Sequence, residues 1–179
     1  DRLNRLIDKI LDLEKFETGK QKIFPTRGNL INTISKSISP LHQLILNKNI
    51  HIEFDEYQNN VMLHYDEERI IQVITNLVSN AIKFTSEKDG VIILTVIDKP
   101  NDYITVTVFN NGKGVNTEDL ESIFDKFYQS SSQTIKKPIG SGLGLAISKQ
   151  IIEAHKGKIW AENVQNGVVF SFTLYKNLK

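Results

Sequence analysis

Two pairs of β-rich runs constrain this chain more than any other feature. VIILTVID at 91–98 and YITVTVF at 103–109 are separated by a KPND turn, and KIWAEN and GVVFSFTLY near the end flank an NVQNG turn. Each pair reads as a hairpin, so the sheet must be largely antiparallel. Long amphipathic segments lie between them, and helices that interrupt hairpins cover one face of such a sheet. The expected class is therefore α+β: a two-layer α/β sandwich with a mixed, mostly antiparallel sheet against three helices, not a parallel βαβ array. At 179 residues the chain is long enough for a full core.

The remaining elements follow from periodicity. Leu3, Leu6, Ile7, Ile10, Leu13 and Phe16 recur at spacings of three and four, predicting a helix that stops near Gly19. An isolated helix of that length is marginal in water, so its stripe needs a partner. Packing on the rest of the chain and pairing in a dimer both remain open. IFP at 23–25 predicts a short strand, and 28–47 a helix interrupted at Pro40. IHIEFD at 50–55 alternates as a strand, with VMLHY at 61–65 expected to pair with it across YQNN. A helix is expected from Asp66 to about Thr85, burying Ile70, Ile74, Leu77, Ala81 and Phe84, with acidic residues in its first turn where the dipole favours them. Further helical character is predicted at 117–127 and 143–156, with Gly157 as a C-terminal cap.

Composition mainly excludes. With 22 basic and 21 acidic residues the net charge is +1, so no bulk attraction to nucleic acid or anionic lipid is expected. No cysteine is present, which removes disulfides, thiolate metal sites and cysteine nucleophiles. No apolar run reaches the roughly 20 residues of a membrane span. The chain starts with Asp rather than Met, so it is expected to be part of a longer protein.

Three segments carry candidate chemistry. On the helix from Asp66, residues Asn76, Asn80 and Lys83 fall in one sector about 60° wide, bordering the apolar stripe. That sector is either a solvated edge or a metal–phosphate site. An amide oxygen suits Mg²⁺ and a lysine one turn on suits a phosphate. VFNNGKGV at 108–115 ends a strand in two glycines, a simple turn or a close backbone approach to a ligand. IGSGLGLAISKQII at 139–152 places Gly140, Gly142 and Gly144 before a helix, a flexible loop or a phosphate-binding N-terminus. It matches neither a Walker A nor a Rossmann pattern.

In this order the segments resemble the catalytic and ATP-binding domain of bacterial two-component sensor histidine kinases, in the wider group with DNA gyrase B, MutL and the large heat-shock chaperones. The N box is DEERIIQVITNLVSNAIKFT (66–85), the G1 box NNGKG (110–114), the F box FDKFYQ (124–129) and the G2 box GSGLGLAI (140–147), followed by HKGKIW. The resemblance covers about residues 21–175, and LDLEKFETGK resembles the end of the second helix of the dimerisation and phosphotransfer domain. It divides the chain into that helix at 1–20 and an ATP-binding domain at 21–179.

The resemblance implies ATP and Mg²⁺ as ligands. Asn80 would hold Mg²⁺ with Asn76 assisting, and Lys83 would meet the phosphates beside Phe84. Asn110 would read adenine, with Gly114 against the base and Gly112 and Val115 in the same ATP-binding set. Gly140, Gly142 and Gly144 would shape the phosphate loop and a lid between about 128 and 141, anchored by the packing of Phe124 and Phe127, with Phe127, Ser141 and Leu143 also among the ATP-binding residues. It also implies homodimerisation through the first helix and a response regulator receiver domain as partner. The location would be cytoplasmic, without nucleic acid or direct membrane contact, in a parent bound to a membrane. The γ-phosphate would go to a histidine in an H box. His42, His51, His64 and His155 stand in other contexts, so the phosphoacceptor is expected upstream, and His155 is expected only to favour a helix dipole.

Two positions depart from the family. Asn110 stands where Asp is usual; a charged hydrogen bond contributes about 1 kcal/mol more than a neutral one, so ATP should bind roughly fivefold to tenfold more weakly, yet still bind. Gln129 stands where Arg often follows the F box. A non-enzymatic scaffold that keeps the fold is the alternative reading. A gyrase-like ATPase is a third, disfavoured because Asn76 occupies the position of that group's general-base Glu and cannot take a proton.

Overall fold

The computed structural model describes residues 2–19, 21–55, 60–129 and 141–178. Its elements run α1 (Arg2–Glu17), β1 (Thr26–Asn29), α2 (Leu30–Ile38), α3 (His42–Asn47), β2 (His51–Asp55), β3 (Met62–Tyr65), α4 (Glu67–Phe84), β4 (Val91–Asp98), β5 (Tyr103–Asn111), α5 (Gly144–Ala154), β6 (Ile159–Val164) and β7 (Gly167–Tyr175). Five strands form one sheet in the order β2-β4-β5-β7-β6, antiparallel except for the parallel β2–β4 pair. The helices cover one face, as the hairpin pattern required. Alternation on β5 sends Ile104, Val106 and Val108 into the core. There they share the core with Ile70, Val73, Ile74, Leu77, Val78, Ala81 and Ile82 of α4.

Several boundaries differ from expectation. Residues 23–25 are not a strand; the strand begins at Thr26. β3 does not pair with β2. It pairs antiparallel with β1 in a separate two-stranded sheet. Asn29 fixes that pairing: its Oδ1 accepts from Ile31 N, capping α2, and from Val61 N at the edge of β3. The longer β4 takes β2 instead. Most of YQNN, at 57–59, lies outside the described residues. Residues 117–127 make only two short 3₁₀ turns, Thr117–Asp119 and Ser122–Phe124. A 3₁₀ turn at Ser39–Leu41 carries Pro40 and separates α2 from α3, the predicted interruption. Phe84 is not on the buried stripe; it is 49% exposed. At the end of α5 it is Lys156, at φ +58°, that takes the left-handed position expected of Gly157.

α1 packs on the body. Leu13 and Phe16 are buried, Arg69 of α4 meets Asp12 at 3.1 Å, and its guanidinium lies 5.4 Å over the Phe16 ring. Ile7, Ile10 and Leu11 remain exposed on its other side.

Candidate functional site

Asp66 starts α4 as its N-cap, its carboxylate accepting from Arg69 N. From there the helix carries Asn76, Asn80 and Lys83 up one side at a rise of about 1.5 Å per residue. Asn76 is half-buried and donates from Nδ2 to the buried Ser148 Oγ of α5 at 3.0 Å. Its Oδ1 lies against Gly144, the first residue of α5, so closely that a Cβ there would fall on it. Asn80, one turn on, is half-buried, and its amide forms no hydrogen bond among the described residues. Lys83 is exposed.

The far end of α4 is fastened to the turn after β5. Thr85 and Gly112 form an antiparallel bridge, and Ser86 N donates to Asn111 O at 3.1 Å. The Asn111 side chain accepts from Thr85 Oγ1 at 2.7 Å and Val91 N at 2.8 Å, and donates to Asp89 O. Gly112 has φ +134°, and a Cβ would lie 2.5 Å from the Phe84 carbonyl. Its close approach is therefore to the protein's own backbone. Asn110 is buried at 1% exposure and donates to Asn111 O at 3.3 Å. Gly114 and Val115 are held from β6: Asn163 Oδ1 accepts from Val115 N and its Nδ2 donates to Val115 O.

The third segment meets the middle of α4, at Asn76. α5 begins at Gly144, with Leu143 as its N-cap and no side chain capping it. Its first backbone N–H groups are thus open to an anion. Ser141 Oγ accepts from Leu143 N at 3.4 Å. Phe127 N donates to Gly142 O at 3.0 Å, with φ +60° and +68° at the two residues. Phe124 is buried edge-on against Phe170. Phe127 is not an anchor by packing, because its ring is 59% exposed. Tyr128 OH donates to Asp119 Oδ1. Gly140 and most of the expected lid fall outside the described residues.

The geometry thus brings the three segments to one face of α4. The second glycine segment touches Asn76, the first touches Phe84, and Asn80 and Lys83 lie between. Among the described residues no group of three or more His, Cys, Asp or Glu side chains could hold a metal. A cation here would need amide and ligand oxygens, and the unengaged Asn80 amide fits that donor set.

The histidines take no part. His51 meets Glu53 on the surface at 2.8 Å. His155 is fully buried: Nδ1 is 2.7 Å from Ile151 O, and Nε2 accepts from Asp66 N at 3.0 Å. Burial holds its pKa below the usual 6.5, against the raising influence of the Ile151 carbonyl and Asp66. A neutral, enclosed imidazole does not serve the helix dipole as a cation, contrary to expectation. Sequence reasoning missed Ser148, Asn163 and the clamp by Asn111. Only Ser148 left a signal, one turn after Gly144.

The family model for "Histidine kinase-, DNA gyrase B-, and HSP90-like ATPase" matches residues 65–178. Sensor histidine kinase WalK of Bacillus subtilis (strain 168) is 29% identical over 177 residues, 97% of this chain and 28% of that protein. Sensor protein KdpD of Clostridium acetobutylicum is 35% identical, over 98% of this chain and 19% of that protein. The chain therefore spans less than a third of either relative. The solved catalytic domain of histidine kinase ThkA superimposes with a TM-score of 0.77 at 37% identity, covering 86% of this chain and 97% of that one. ThkA in complex with response regulator protein TrrA gives 0.80 at 33% identity, over 98% of this chain and 48% of that one.

Proposed function

We propose that this chain, which belongs to the histidine kinase-, DNA gyrase B- and HSP90-like ATPase family, binds Mg-ATP on the face of α4 and presents its γ-phosphate to a histidine of a dimerisation domain. The observation that carries the reading is the bracketing of Asn80 and Lys83 by two glycine segments, one packed on Asn76 and the other on Phe84. Asn80 would supply an amide oxygen to Mg²⁺, and Mg²⁺ would neutralise phosphate charge. Lys83 would meet the phosphates as a point charge. The open N–H groups at Gly144 and Leu145 would receive phosphate oxygens. Asn110 would read the base, with Gly112, Gly114 and Val115 beside it, and Ser141, Gly142, Leu143 and Phe127 would border the phosphate end; Gly140 belongs to the same set by sequence.

Asn76 makes this a presenting site and not a hydrolysing one. Its amide cannot accept a proton from water, and it is already committed to Ser148. The phosphoryl group would then pass to a receiver-domain response regulator. The pairing of ThkA with TrrA supports that partner. The exposed Ile7, Ile10 and Leu11 of α1 support a dimerising helix at 1–20 ahead of a nucleotide domain at 21–179. Among the described residues no helix is long and apolar enough to cross a membrane, and a cytoplasmic position would suit ATP supply. Calorimetry with ATP, with and without Mg²⁺, tests the core of the proposal: binding strengthened by Mg²⁺ is expected, and weaker Mg²⁺ dependence in Asn80→Ala. No binding in either condition would overturn it.

A further inference from the structure

Asn110 lies near the end of the central strand β5, between Ile92 of β4 and Val168 of β7, at 1% exposure. A primary amide offers two donors and an acceptor oxygen with two lone pairs. Asn110 spends one donor, from Nδ2 to Asn111 O at 3.3 Å. No described donor reaches Oδ1. No described side-chain polar atom is fully enclosed without a partner, so the small exposure of this residue includes Oδ1. An amide buried at 1% exposure, with only its acceptor reachable from outside, is an uncommon choice in a strand where valine would pack. It is the arrangement of a group that waits for a donor on a ligand.

We propose that Asn110 makes the base pocket selective but tolerant at position 6 of a purine, preferring a 6-amino group and admitting a 6-oxo group. The inference rests on the reading of this site as a nucleotide pocket. In the observed orientation Oδ1 accepts from a 6-amino group, as in adenine. A carboxylate at this position could only accept, and a 6-oxo purine would bring a second acceptor against it. An amide can turn over. Nδ2 then donates to the 6-oxo group, and the hydrogen bond to Asn111 O is lost. One neutral hydrogen bond corresponds to roughly a twofold to twelvefold change in affinity. ATP should therefore outbind inosine triphosphate by about that factor and not by orders of magnitude.

The test is calorimetry of the chain with the Mg²⁺ complexes of ATP, inosine triphosphate and the triphosphate of unsubstituted purine riboside. ATP is expected to bind best, with inosine triphosphate and the unsubstituted purine about equal to each other and a few-fold weaker, because the turned amide gains one hydrogen bond and loses another. Inosine triphosphate binding more than about tenfold more weakly than the unsubstituted purine would overturn the proposal, since a 6-oxo group would then be repelled and not admitted. In Asn110→Asp the preference for ATP over inosine triphosphate should widen at least tenfold further; an unchanged ratio in a variant with a native melting curve also overturns it. The wild-type series stands even where that variant fails to fold. Failure of ATP itself to bind is a different result, and removes the nucleotide site along with this refinement.

Discussion

The backbone N–H of Asp66 donates to Nε2 of His155 across 3.0 Å, joining the start of α4 to the end of α5 inside the core. The same Asp66 caps α4 with one carboxylate oxygen and takes Phe24 N on the other at 2.9 Å. Because a backbone N–H can only donate, Nε2 must be unprotonated, and the proton sits on Nδ1 facing Ile151 O. A charged imidazole would set N–H against N–H. The folded-state pKa lies below 6.5, so the contribution is complete above 6.5 and is lost as pH falls from there through the folded value. Urea unfolding at pH 7.5 and 5.5 should show stability falling by up to about 1.4 kcal/mol per pH unit from this group. His155→Leu should flatten that dependence while costing about 1–3 kcal/mol at pH 7.5 for the orphaned Asp66 N–H. Equal pH slopes in both proteins would contradict the tautomer.

Gly144 and Asn76 should behave as one unit. Gly144→Ala places a methyl on Asn76 Oδ1 and forces the amide off Ser148. About 1–2 kcal/mol of stability should be lost, although Ala is the better helix residue. Asn76→Ala in the same chain should relieve part of that loss. A double-mutant cycle by chemical denaturation should give a coupling of at least about 0.5 kcal/mol, and strict additivity would deny the contact.

Asn163 is expected to matter for binding more than for folding. Asn163→Ala removes both hydrogen bonds to Val115 from a solvent-facing strand. Stability should drop by about 1 kcal/mol or less. ATP affinity should fall several-fold, because the Gly114–Val115 turn loses its tether. Unchanged affinity by calorimetry would place that turn outside the site.

With labelled ATP alone, the chain should remain unlabelled, since none of its four histidines lies in an H box. Phosphate release should stay near background. A stable phosphohistidine would refute the first expectation. Steady turnover of about 1 s⁻¹ or more, the range of working enzymes, would refute the second and restore a hydrolase reading.

Much of the fold was legible because periodicity reports burial directly. α4 appears within one residue of its expected span, and both hairpins form where turn residues predicted them. Strand pairing across longer distances was not legible. The alternation in 61–65 says that the segment wants a neighbour, and the nearest candidate, β2, was the wrong one. The 117–127 segment carries helix formers, yet it makes two short turns, with Phe124 packed against Phe170.

For the site, the sequence by itself determined the residue types and their order: two amides and a lysine on one helical face, and glycines where backbones must meet. Those follow from 3.6-residue geometry and from the space a Cβ needs. Only the tertiary structure decided what each one touches. It showed that Gly112 yields to the Phe84 carbonyl, that Asn76 is bound to Ser148, that His155 is buried neutral, and that Asn110 keeps one acceptor open. The first three of these contacts join residues 28 to 89 positions apart. No local pattern encodes a partner that far along the chain; only close packing of the sheet and helices selects it.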